Sequence, residues 1–194
     1  MSMHVRRMLW EDIVQVRGID IICFPTMMPP TNYETEFINP MAHYLVAYDE
    51  AVSPIENASG VKSQMILGFI GLWYMASEVH IINLAVHPDY RRQGVGELLL
   101  IHGIDLSSKL NAILMTLEVR VSNLAAQALY AKYDFTERGV RRAYYLDNSE
   151  DASIMTLDNM HDSEYKATLC ALKACYLQIW NVAIGDAIFM LTQN

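Results

Sequence analysis

Ile81-Ile82-Asn83-Leu84-Ala85-Val86-His87-Pro88-Asp89-Tyr90-Arg91-Arg92-Gln93-Gly94-Val95-Gly96 is the stretch on which the fold turns. The apolar run ending at Val86 reads as a buried strand and His87 to Tyr90 as a turn. The Gly-x-Gly after it opens Gly96 to Leu110, an apolar segment of helical length that Gly103 weakens slightly. Backbone N–H groups at a helix start have no partner within the helix and direct partial positive charge outward, so the turn forms an anion cradle. A side chain at 94 or 96 would hold a pyrophosphate away from those groups, and Arg91 or Arg92 can add charge at the rim. A Walker loop is excluded because Gly96 is followed by Glu97 and Leu98, and the dinucleotide fingerprint because position 99 is Leu rather than a third glycine. Taken alone, Gly-x-Gly also suits a plain strand-to-helix turn.

Working outward, Met3 to Met8 reads as a strand, and Glu11 to Cys23 as a helix with Ile13, Val16, Ile19, Ile22 and Cys23 at helical spacing. Phe24 to Pro30 holds three prolines and should be irregular, Tyr33 to Ile38 suits a short helical turn, and Tyr44 to Tyr48 a strand. Asp49 to Gln64 has the composition of a long solvated hairpin loop, between that strand and the buried strands Met65 to Met75 and Val79 to Val86. Ile113 to Val119 is a further strand, and Asn123 to Tyr133 a helix with Leu124, Ala128 and Leu129 as its expected buried face. Phe135 to Leu146 and Ala152 to Leu157 form a last strand pair. The order is β-α-α-β-β-β-α-β-α-β-β, a mixed α/β pattern.

Composition changes after Leu157. Asp158 to Lys166 is polar and Ala167 to Leu191 apolar, but Lys173, Gln178, Asn181 and Asp186 deny it the about 20 clean residues of a membrane span. Leu169, Leu172, Tyr176, Ile179, Trp180 and Ala183 fall on one helical stripe. The reading is a domain over 1–157 and a helical extension over 158–194, docked on the body or, by self-association, on another subunit.

The 194 residues, 53% hydrophobic, suit one core, and 14 Lys+Arg against 22 Asp+Glu give a net charge of -8. That charge disfavours nucleic acid and anionic membranes as partners and accommodates a cationic substrate. Cys23, Cys170 and Cys175 are odd in number and lack ligand spacing, so neither a disulfide framework nor a metal site is expected. Reduced thiols, and no apolar stretch of signal length after Met1 to Arg7, give a cytoplasmic expectation; Asn57-Ala58-Ser59 is then a chance sequon.

The flanks of the glycine turn narrow its reading. Arg91, Gly94 and Gly96 match the acyl-CoA motif Gln/Arg-x-x-Gly-x-Gly/Ala, and Leu84-Ala85-Val86-His87-Pro88 looks like the strand before it, so the chain resembles the GNAT superfamily. The resemblance implies the GNAT acyl-CoA N-acyltransferase fold: a mostly antiparallel sheet, splayed between its fourth and fifth strands and flanked by helices. It implies acetyl-CoA as co-substrate, with no metal. The segment Leu84, Ala85 and Val86 would pair with the pantetheine arm, and Arg91, Arg92, Gln93, Gly94, Val95, Gly96 and Glu97 would wrap the pyrophosphate.

Leu117-Glu118-Val119-Arg120-Val121-Ser122-Asn123, Ala128-Leu129-Tyr130, Arg141-Arg142-Ala143-Tyr144-Tyr145 and Glu150-Asp151-Ala152 further resemble the bacterial acetyltransferases that modify the N-terminal alanine of a ribosomal protein. A protein N-terminus would then be the acceptor. An α-amine with pKa near 7.7 to 8.0 is about a quarter neutral near pH 7.4, whereas a lysine near 10.4 is neutral only about 0.1% of the time, so a modest base suffices. Glu118 is that base: Ile113, Met115, Leu117 and Val119 alternate to one face, leaving Leu114, Thr116 and Glu118 on the other, where desolvation would raise its proton affinity. A strand-end glutamate paired with Arg120 or Arg142 also fits the spacing. The resemblance makes Tyr130 the general acid, where a helix-face aromatic filling the core is the bland alternative. Asn123 is a helix N-cap or a cofactor contact. Tyr144 and Tyr145 would hold the substrate peptide from a hairpin lip, or merely pack across the hairpin. His80 and His87 have no partner at a telling spacing. One departure is Tyr133-Asp134-Phe135, where the family has Leu-Gly-Phe with a left-handed glycine; Asp adopts that conformation at some cost. Two rivals keep the same site: acetylation of a small amine, and a non-catalytic acyl-CoA-binding or assembly module.

Overall fold

Seven strands make one sheet in the computed structural model, which describes residues 3–26, 30–50, 55–56 and 62–180. They are β1 (Met3–Arg7), β2 (Ala42–Asp49), β3 (Ile66–Met75), β4 (Glu78–Val86), β5 (Leu114–Arg120), β6 (Thr136–Tyr145) and β7 (Glu150–Leu157). The order across the sheet is β1-β2-β3-β4-β5-β7-β6. Every pairing is antiparallel except β4 with β5, which is parallel and needs the long crossover through α3 (Val95–Lys109).

That parallel pair does not close along its length. It runs in register from Glu78↔Leu114 to Ile81↔Leu117 and stops, while β4 continues to Val86 and β5 to Arg120. Among the described residues, Ile82 to Val86 have no strand on the β5 side, so the sheet splits into a V along that edge. The splay is the one expected of this fold.

Two cores flank the sheet. Buried side chains of α3, α4 (Leu124–Lys132) and α5 (Ser163–Trp180) join one cluster with Ile70, Leu72, Met115 and Leu117 of the sheet. The other gathers Ile13, Val16 and Ile19 of α1 (Ile13–Cys23) and Tyr33 of α2 (Tyr33–Ile38) with Val46 and Phe69. On β5, Met115, Leu117 and Val119 are buried and Leu114, Thr116 and Glu118 half-buried, the alternation read from the sequence; Ile113 precedes the strand and is exposed.

Three expected faces are corrected. In α1 Ile22 is exposed and Asp20 is buried, one turn after Val16 on the inward stripe; burial pushes its carboxyl up against the opposing hydrogen bond of Tyr33. In α4 Leu124 and Ala128 are exposed, and the inward stripe is Ala126, Leu129, Tyr130 and Tyr133. Nearly every residue of that helix is small or apolar, so no polar face fixes its rotation and tertiary packing decides. In α5 Tyr165, Leu169 and Tyr176 are buried and Leu172 and Trp180 pack on the core, but Ile179 is exposed.

Ile55–Glu56 pairs with Lys62–Ser63 inside the long loop. The sequon, residues 27–29 of the proline-rich segment, and Asn181, Ala183 and Asp186 lie outside the described residues. Asp134 has φ +64, the left-handed conformation expected where the family has glycine. Among the described residues no helix is long and apolar enough to cross a membrane.

Candidate active site

The cradle is built by backbone conformation. Pro88–Tyr90 forms a single 3-10 turn, and Gly94, at φ +83, caps α3 in the left-handed region, which costs an ordinary L-residue about 1–2 kcal/mol. Among the described residues the N–H groups of Arg92 to Glu97 make no well-formed hydrogen bond to a protein acceptor. A row of free donors at a helix start fits a pyrophosphate. Ala85 is buried, while Leu84 and Val86 are half-buried along the free edge of β4.

The side chains around the cradle are less free than the motif suggests. Arg91 turns back, its Nε donating to the Val86 carbonyl at 3.2 Å, where the Cys23 thiol also donates at 3.3 Å. Gln93 Nε2 donates to the Asp89 carbonyl at 2.8 Å, and Arg92 is exposed. Glu97 accepts from Tyr133 Oη at 2.6 Å and pairs with Lys132, so its carboxylate faces α4. Asn123 Oδ1 accepts from Ala126 N at 3.2 Å, an N-cap.

Where β4 and β5 begin to part, Glu118 meets two partners that spacing does not identify. Its Oε2 lies 2.5 Å from His80 Nε2, and its Oε1 3.0 Å from Arg141 Nη2. Arg120 instead binds Asp147 and Glu150, and Arg142 binds Asp151. The expectation of raised proton affinity is therefore corrected: the His80 hydrogen bond outweighs desolvation and, with the charge of Arg141, holds Glu118 below its ordinary 4.5. The carboxylate side chain is 7% exposed and the imidazole 36%, so the histidine is the more exposed member of the pair. Sequence reasoning misses His80 because its partner depends on the β4–β5 register, His80↔Thr116, which no local spacing encodes.

A depressed carboxylate stabilises the fold above its unfolded pKa, and that stability disappears as pH falls through the folded value. His80→Gln removes the chief lowering cause, so NMR titration of the Glu118 carboxyl should show its pKa rising from below 4.5 toward that value. Turnover should fall about tenfold because the carboxylate loses its orienting partner. An unmoved titration would show that His80 does not control Glu118.

Tyr130 is buried at the inner end of α4, its ring 5.7 Å from that of Phe135, and its hydroxyl has no hydrogen-bond partner among the described residues. Burial, then the neighbouring Tyr145, pushes its phenol well up, so it keeps its proton at neutral pH. At the end of β6 the pairing with β7 slips between Arg141 and Tyr145, and Ala143 adopts φ +48 with its N–H donating to Asp151 Oδ1 at 2.8 Å. Such an irregularity re-aims side chains. Tyr144 and Tyr145 meet edge to face at 5.2 Å, the Arg120 guanidinium lies 3.8 Å over Tyr145, and the charge of Glu118 reaches both phenols. Thr26 Oγ1 donates to Asp147 Oδ2 at 2.9 Å, tying the segment after α1 to the β6–β7 hairpin. His87 accepts from Asp89 N within its turn and stays outside the group.

Residues 13–135 match the model of the acetyltransferase (GNAT) family. A Bacillus subtilis (strain 168) protein, provisionally named a ribosomal protein bS18-alanine N-acetyltransferase, is 38% identical over 152 residues, 78% of this chain and 92% of that one. The crystal structure of the ribosomal-protein-S18-alanine N-acetyltransferase from Escherichia coli superposes with a TM-score of 0.68 at 28% identity, over 80% of this chain and 93% of that chain. Arabidopsis thaliana NAA60, crystallised in complex with acetyl-CoA, shares the fold with a TM-score of 0.67 at 17% identity, over 80% of this chain and 98% of its own.

Proposed function

The chain belongs to the acetyltransferase (GNAT) family and is an acetyl-CoA-dependent N-acetyltransferase, and we propose that its acceptor is the α-amino group of a protein beginning with alanine, ribosomal protein bS18 in the cell. The observation that carries the acceptor class is the pairing of Glu118 with His80 at the fork of β4 and β5, beside the Tyr144–Tyr145 lip. An α-amine that is already partly neutral needs only a weak base, and a carboxylate held below its ordinary range is one.

Bound acetyl-CoA supplies the thioester carbonyl that the amine attacks. The free edge of β4 at Leu84, Ala85 and Val86 holds the pantetheine arm, and the N–H groups from Arg92 to Glu97 hold the pyrophosphate, with Arg91 fixing the loop to the strand end. Asn123 acts from the cap of α4. As the amine nitrogen bonds to carbon its proton becomes acidic, and it passes to Glu118, which stays ionised through neutral pH, with His80 hydrogen-bonded to it. Tyr130 gives its phenolic proton to the departing sulfur. Tyr144 and Tyr145 steer the peptide backbone to the fork. No enzyme nucleophile takes part, so transfer is direct. Residues 1–157 carry this chemistry.

Acetyl-CoA consumption should be fast with a peptide carrying the Ala-initiated bS18 N-terminus and at least about tenfold slower, per unit concentration, with polyamines and amino sugars. Equal or faster use of a small amine would replace the acceptor, and no transfer to any amine would remove catalysis.

A further inference from the structure

We propose that Tyr176 and Trp180 of α5 are positioning residues of the cofactor loop, holding Gly94 in the conformation that presents the free N–H groups to the pyrophosphate. The proposal rests on the reading of Arg91 to Glu97 as that loop. Helix α5 lies beyond the residues that match the family model. It is fastened along its length: Tyr165 Oη reaches the Tyr133 carbonyl at 3.5 Å, Leu169 is buried, and Lys173 pairs with Asp105 of α3.

The last turn of α5 ends on the loop. Tyr176, fully buried, donates its hydroxyl to the Gly94 carbonyl at 3.3 Å, an oxygen that also accepts from Leu98 N. The Trp180 indole lies against Gly94 itself, so close that a Cβ at 94 would sit 2.7 Å from Cε2 and 2.8 Å from Nε1. Tyr176 engages the Gly94 carbonyl and Trp180 fills the space a side chain at 94 would take, and neither accepts a hydrogen bond from an N–H group of Arg92 to Glu97. The direction of those groups depends on two left-handed residues, Arg92 at φ +56 and Gly94 at φ +83. A left-handed arginine is not a relaxed backbone, so the loop keeps its shape only if neighbours hold it. Arg91 on the Val86 carbonyl and Gln93 on the Asp89 carbonyl fasten the strand side, and Tyr176 and Trp180 fasten the helix side. Binding at the loop and docking of α5 are then linked, each strengthening the other by the same factor.

Steady-state kinetics with two acetyl donors test this in the full chain. Acetyl-CoA reaches the loop through its pyrophosphate, whereas acetyl-pantetheine lacks it. Trp180→Ala should raise the KM for acetyl-CoA about tenfold while kcat changes less than about twofold, and leave kcat/KM for acetyl-pantetheine unaltered. Tyr176→Phe, which keeps the ring and removes only the hydroxyl, should move the acetyl-CoA KM the same way by about threefold. An unchanged KM in both variants would overturn the proposal, as would equal losses with both donors, which would mean general damage to packing. A lower KM in Trp180→Ala would overturn it too, because α5 would then shield the loop. If the unaltered protein used both donors equally well, the reading of the loop itself would fail, and the proposal with it.

Discussion

Replacing Glu118 with Gln should lower kcat at neutral pH by about 100-fold or more, the contribution typical of a positioned base, with acetyl-CoA affinity unchanged. The substitution keeps the shape and an oxygen able to accept from His80, so the hydrogen bond between the two side chains survives. Arg141 is about half exposed, so the loss of its ion pair costs less than about 1 kcal/mol of stability. Raising the pH separates two roles. If Glu118 served only to deprotonate the free amine, alkaline solution would do its work and restore full activity. The neutral fraction of an α-amine rises only about fourfold from pH 7.4 upward, so a base that acts while the nitrogen bonds to carbon leaves most of the deficit in place. Measured from pH 7.4 to 9, the variant should recover no more than that factor; full recovery would remove Glu118 as the base.

Tyr130→Phe should slow transfer by about 100-fold with no loss of thermal stability. Stability is spared because the hydroxyl has no hydrogen-bond partner among the described residues, so its removal strands no donor or acceptor and leaves the contact with Phe135 intact. The raised phenol pKa has a second consequence. The proton that the leaving sulfur requires stays on oxygen through and above neutral pH, so Tyr130 should impose no alkaline fall in rate between pH 7 and 9. A full-rate variant would leave sulfur protonation to solvent.

Much of the frame follows from short-range signals. The Gly94 turn, the alternation of Met115, Leu117 and Val119, and the left-handed Asp134 each depend on residues within a few positions, and each stands where the sequence places it. The departures share a cause. His80 reaches Glu118 only through the register of a parallel pair formed by a crossover helix, and Asp20 is buried because Tyr33, from another helix, receives it. Local pattern carries neither. The bulge at Ala143 and the rotation of α4 are likewise invisible in the sequence, since an alanine gives no sign of positive φ and an apolar helix has no polar face to mark its outside. The docking of Trp180 on Gly94 joins residues too far apart in the chain for any spacing rule to connect.

The central claim, direct transfer from acetyl-CoA to a protein α-amine, is tested most directly by locating the acetyl group on a single acceptor. An alanine-initiated bS18 peptide with an internal lysine, incubated with the purified protein and acetyl-CoA, can be read by tandem mass spectrometry. The account predicts one acetyl group, on the alanine nitrogen, absent when Glu118→Gln replaces the unaltered chain under the same brief incubation. Acetyl on the lysine side chain, or none on the peptide while a small amine is consumed, would contradict it.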